Sequence, residues 1–145
     1  MPSTVHQWLV LWAARKMSAD GFVIGGYEGP TPQGGVWNAL PIPFEIRTVR
    51  PDVWGVNPES GQLAVGEAKT LDDVLSSHTR EQLRVFMNLR ERASRRRCKL
   101  YLAVPHSAAG ALDRALIRAG CTEVEHVVRI HIPDCLLPEA LSEHA

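Results

Sequence analysis

The sequence predicts a single α/β domain over residues 1–145. The expected core is a central mixed sheet of four to five strands flanked by helices, in the order α-β-β-β-α-β-α-β. Two observations carry this expectation. Apolar residues recur at helical spacing in some stretches, and they alternate or run continuously in others. Intervals rich in Gly, Pro and Asn separate these stretches. With 145 residues, 45% hydrophobic and 22% charged, the chain has the size and composition to bury one core.

The first helix follows from Val5, Trp8, Leu9, Trp12 and Ala13, which share one apolar face. Thr4 followed by Gln7 is a capping box, and Gly21 marks the stop. Phe22 to Tyr27 reads as a short strand. Residues 28–43 hold four prolines and three glycines, so a long loop is expected there, either a lid over substrate or a surface excursion. Trp37 within it is placed either to stack on a base or to pin the loop. Phe44 to Arg50 alternates like a strand, with Glu45 a further acidic candidate.

Downstream, Thr70-Leu71-Asp72-Asp73 resembles a helix start, and Thr79-Arg80-Glu81-Gln82 is another capping box. The helix is expected to run from Thr79 to Arg97, burying Leu83, Phe86, Met87 and Ala93. Cys98 to Pro105 is nearly continuous in apolar residues, a buried central strand. Ser107 is expected to cap a helix striped by Leu112, Ala115, Leu116 and Ala119 and closed by Gly120. Val124 to Ile132 alternates as a last strand, parallel to its predecessor through a helical crossover. Residues 133–145 form a tail.

The chemistry-bearing stretch is Arg50-Pro51-Asp52-Val53-Trp54, with Gly66-Glu67-Ala68-Lys69 following. Asn57-Pro58-Glu59-Ser60-Gly61 between them is turn chemistry that reverses the chain. Residues two apart on a strand share a face, so Glu67 and Lys69 project together beside Asp52. Two carboxylates and a lysine at one sheet end form an oxygen-ligand site for a hard divalent cation.

Pro51-Asp52, then Glu67-Ala68-Lys69 on an apolar strand, then Gln82 in a following helix resembles the PD-(D/E)xK nuclease superfamily, which includes restriction endonucleases and Holliday-junction resolvases. The resemblance covers the order of elements from about residue 3 to 131 and residue identity only at the motif. It implies a restriction-endonuclease-like core and metal-dependent hydrolysis of phosphodiester bonds in DNA, with RNA left open. Mg²⁺ or Mn²⁺ would be held by Asp52, Glu67 and a backbone carbonyl at Ala68. Lys69 would position the attacking water or stabilise developing charge, and Gln82 would face the site or cap its helix. Related nucleases often carry a supporting Glu in the first helix. None stands there in this chain; Gln7 or His6 could stand in for it, but the preferred reading is a cap residue and a surface histidine.

Sixteen basic and sixteen acidic side chains leave no net charge, so attraction to a polyanion must come from a local patch. Arg47 and Arg50 lie near the motif. Arg90, Arg92, Arg95, Arg96, Arg97 and Lys99 make a dense basic cluster for phosphate contact, read as circling a helix end. A chain this small needs a second active site to cut both strands, which suggests a homodimer. The same fold would also suit a non-catalytic nucleic-acid-binding or assembly subunit. Cys98, Cys121 and Cys135 are odd in number and lack metal spacing, and no apolar run is long enough for a membrane span, so a reduced cytoplasmic protein is expected. His126, His131 and Cys135 fit no common zinc spacing, and no glycine-rich nucleotide loop is present.

Overall fold

The computed structural model describes residues 4–27, 50–121 and 123–138. Helix α1 (Thr4–Ala19) leads into β1 (Val23–Tyr27), β2 (Val53–Val56) and β3 (Leu63–Ala68). Then come α2 (Ser77–Met87), β4 (Lys99–Pro105), α3 (Ala109–Arg118) and β5 (Val127–Ile132). The strands lie side by side in the order β1-β2-β3-β4-β5. The first three are antiparallel, and β3, β4 and β5 run parallel. The chain is therefore an α/β protein with a five-stranded mixed sheet flanked by helices.

Strand alternation divides the core. Ala64, Ala68, Tyr101 and Ala103 face α1, where Leu9, Val10, Ala13 and Met17 meet them. Val65, Leu100, Leu102 and Val104 face α2 and α3, meeting Leu83, Phe86, Leu112 and Leu116. The β2–β3 turn forms as its residues require. Asn57 Oδ1 accepts from the N–H groups of Glu59 and Ser60 at 2.9 and 3.3 Å, and Gly61 takes a left-handed φ of 74°.

The order of elements departs from expectation in three places. Two short 3₁₀ turns are added, His106–Ala108 and Asp134–Leu136. The second strand begins after Asp52; of the expected strand at 44–50, only Arg50 is described, and it is not in a strand. The helix expected over Thr79–Arg97 ends at Met87. There Asn88 donates from Nδ2 to the Arg84 carbonyl at 2.8 Å. Beyond it the buried side chains of Leu89 and Cys98 anchor a turn, with Cys98 N–H donating to Leu89 O at 2.9 Å and an antiparallel bridge joining Arg90 to Arg97. Helical spacing of Ala93 misled, since that residue is exposed in the turn.

Helix starts also moved. Ser76, not Thr79, caps α2, its hydroxyl accepting from Thr79 N–H at 3.1 Å, and Thr70 to Leu75 form turns. Ser107 does not cap α3, which begins behind Ala108; its N–H and hydroxyl bond Asp134 at 2.9 and 2.6 Å. The expected loop at 28–43, Trp37, Glu45 and Arg47 lie outside the described residues, as does the tail past 138. Cys98, Cys121 and Cys135 are free thiols. Among the described residues, no helix is long and apolar enough to cross a membrane.

Two predictions test this architecture. At Gly66 an added Cβ would stand 2.5 Å from Val53 Cγ1 and 3.2 Å from Met17 Sδ. Gly66→Ala is expected to cost about 1–3 kcal/mol, read by calorimetry as a drop of roughly 2–4 °C per kcal/mol. An unchanged melting temperature would show that α1 and β3 are not in close contact. The buried Glu91 carboxylate accepts from the Leu63 N–H at 3.1 Å and from Ser94 and Arg96. Burial pushes its carboxyl up, but these bonds outweigh burial and hold it below its ordinary value of 4.5. The stability it contributes is complete above that value and is lost as pH falls through the lower folded value. Melting temperature should therefore fall less steeply below pH 4.5 in Glu91→Gln than in the wild type.

Candidate metal centre beside the end of β3

β3 is apolar and buried along its length until Glu67, so the charged residues that end it have no open solvent to enter. Buried ions require partners, and three elements supply them. The register pairs Val53 with Gly66, which brings Asp52 level with Glu67 across the β2–β3 hairpin. Asp52 Oδ2 accepts the Ala68 N–H at 2.9 Å. Lys69 lies 3.9 Å from Glu67 Oε1 and 3.7 Å from Asp73 Oδ2, and donates to Gln82 Oε1 from α2. Glu67 and Lys69 are 3% and 5% exposed.

The fourth contributor is His6, on the first turn of α1, whose Nε2 is 3.2 Å from Asp52 Oδ2. One ligand atom each from His6, Asp52 and Glu67 lie within 4.8 Å of one another. These side chains, with Arg50, Thr70, Asp73, His78 and Gln82, line an open cleft of about 350 Å³. Burial alone pushes the Asp52 carboxyl up. Hydrogen bonds with His6, Glu67 and the Ala68 N–H outweigh it and hold the group below its usual 3.8, in the anionic form that ligates a cation. The donor set of one imidazole nitrogen and two carboxylates fits a divalent ion of intermediate character better than a purely oxygen-seeking one.

Asp52, Glu67, Lys69 and Gln82 thus come together as the sequence suggested, and Gln82 meets Lys69 because Ser76 takes over the capping role. Ala68 enters through its N–H. Arg50 lies at the cleft. Among the described residues, the other basic candidates do not join it. Arg92, Arg95, Arg96 and Arg97 fall in the turn before β4 and Lys99 at its first residue, the opposite end of the sheet from Glu67. Lys99 Nζ sits 5.5 Å from the Tyr101 ring.

His6 was misread as a surface residue, and Asp73 as part of a helix start. Of the expected face of α1, Val5, Leu9 and Ala13 are buried and Trp12 packs partly buried against the core, but Trp8 is 38% exposed and Val10, Ala14 and Met17 are buried in addition. The true face runs through positions 6, 10, 13 and 17, and a histidine on that face was the available signal. His126 and His131 serve elsewhere, one donating to Met87 O at 3.0 Å and the other packing edge-on against His106. Compared with protein-family models, characterised proteins and solved structures, the chain matches none.

Asp52→Asn keeps an acceptor for Ala68 and removes a charged ligand. In calorimetry the wild type should melt higher in Mn²⁺, by about 2.7 kcal/mol at a hundredfold excess over Kd. Asp52→Asn and His6→Ala should largely lose that increment; an equal rise in all three proteins would remove both residues from the centre.

Proposed function

We propose that this protein is a metal-dependent nuclease that hydrolyses phosphodiester bonds in DNA, a PD-(D/E)xK-type enzyme with a restriction-endonuclease-like core. One observation carries the reading: Asp52, Glu67, Lys69 and His6 converge in a single cleft at the end of a buried strand. A bound Mg²⁺ or Mn²⁺ supplies an activated water and charge neutralisation at phosphorus.

The chain's own residues do the rest. Asp52, Glu67 and His6 would hold the ion, and the Ala68 carbonyl would be a further ligand. The hydrogen bond from Ala68 N–H and the contact with His6 orient the Asp52 carboxylate before substrate arrives. Lys69 brings a positive charge to the cleft, held in place by Gln82, Glu67 and Asp73. It stabilises charge developing on the phosphoryl oxygens and aligns the attacking water. Arg50 and His78 at the cleft lip meet the flanking phosphates. Cutting both strands of a duplex requires two such clefts, which a homodimer provides. The imidazole ligand favours Mn²⁺ over Mg²⁺.

The test is cleavage of single-stranded, duplex, flapped and four-way-junction DNA in Mn²⁺, Mg²⁺ or EDTA. Lys69→Ala is expected to cut at least about 100-fold more slowly while binding DNA like the wild type, and Glu67→Ala to be inactive. EDTA should abolish cutting, and Mn²⁺ should support it at lower concentration than Mg²⁺. Undiminished cutting by Glu67→Ala would overturn the proposal.

A further inference from the structure

The basic turn that leads into β4 stands apart from the cleft, and its composition is out of balance with the rest of the chain. Residues 90–99 carry six basic side chains and one acidic one, which leaves ten basic and fifteen acidic among the other residues. A neutral protein thus concentrates positive charge in one exposed turn. Arg96 pairs with Glu91 at 3.1 Å and Arg97 with Glu123 at 2.9 Å. These pairs fasten the turn to its surroundings, and Arg96 also donates to the Ser60 carbonyl at 3.4 Å. Arg90 donates to a backbone carbonyl, that of Arg95, at 2.9 Å.

Arg95 itself takes a left-handed backbone, with φ of 64°. That conformation costs a non-glycine residue on the order of 1 kcal/mol, and glycine would hold the turn more cheaply. Arg95 is exposed in this turn, as are Arg90, Arg92 and Arg96.

The turn's distance from the cleft follows from two elements. Four strand positions, roughly 13 Å, separate Glu67 from Leu63, whose N–H is bonded to Glu91 of the turn. Helix α2 starts at the cleft and ends at the turn, and its eleven residues, Ser77–Met87, span about 16 Å. With side-chain reach, the arginines stand on the order of 20 Å from the cleft, about six base pairs of duplex. Exposed Arg80 and Arg84, four residues apart on α2, lie between the two.

We propose that the Arg90–Lys99 turn is a second nucleic-acid site, which grips the phosphate backbone of a duplex about six base pairs from the phosphate held in the cleft. The proposal rests on reading the cleft as a phosphodiester site and adds a length requirement to it. A duplex too short to reach the turn binds through the cleft alone, and a longer one gains the arginine contacts.

The experiment is fluorescence anisotropy of the full-length protein with 6- and 30-base-pair DNA duplexes in EDTA, across a salt series. It compares the wild type with Arg92→Gln/Arg95→Gly, in which glycine preserves the left-handed turn. The wild type is expected to bind the longer duplex at least tenfold more tightly. In the variant that ratio should collapse toward one, and the slope of log Kd against log salt should fall by about two. A melting temperature matching the wild type shows that the turn still folds. Equal binding of the 30-mer by both proteins, or no binding by either, overturns the proposal. Failure of the parent reading looks different: turn-dependent DNA binding without Mn²⁺-dependent cutting removes the nuclease and keeps this site.

Discussion

The hydrogen bond from the Ala68 N–H to the Asp52 carboxylate is the contact on which the rest of the arrangement depends. It binds the residue before β2 to the end of β3, so the hairpin closes at the place where buried charge appears. Asp52 is then positioned for His6 of α1, while Glu67 and Lys69 on the same strand end meet Gln82 of α2. Two helices on opposite faces of the sheet are thereby joined through polar groups at one edge, where each alone would meet only apolar side chains. The cost of burying these ions is offset locally by their pairing. Loss of one partner leaves another charge uncompensated.

The far end of the sheet uses the same logic with opposite charge. Glu91 enters the protein to satisfy the Leu63 N–H, and Arg96 follows to neutralise it. The cleft end gathers carboxylates around a position for a cation, and the turn end gathers guanidinium groups around a single carboxylate.

Much of this was legible because strand physics is local. The spacing of Glu67 and Lys69, the Asn57–Gly61 reversal and the apolar run to Pro105 each determine a short piece of backbone, and together they assemble most of the site. What escaped depended on long-range packing. The face of α1 was set by the sheet beneath it, which chose Val10, Ala14 and Met17 over Trp8 and turned His6 toward Asp52. The end of α2 was set by Leu89 and Cys98 sharing the core, and arginines with good helix propensity followed them into a turn. The role of Gln82 was ambiguous only until the cap was found at Ser76.

Tyr27, the last residue of β1, pairs with Val53, the neighbour of Asp52. The segment between β1 and β2 therefore leaves and rejoins the sheet beside the cleft, whatever its length. Doubling a connection of this kind costs only about 0.6 kcal/mol of closure entropy. Closure entropy therefore leaves the length of that connection free to change with little penalty to folding, provided that Asp52 at its end is kept. The hairpin that carries Asp52 and Glu67 is held by its own register and hydrogen bond, and does not depend on how long that connection is.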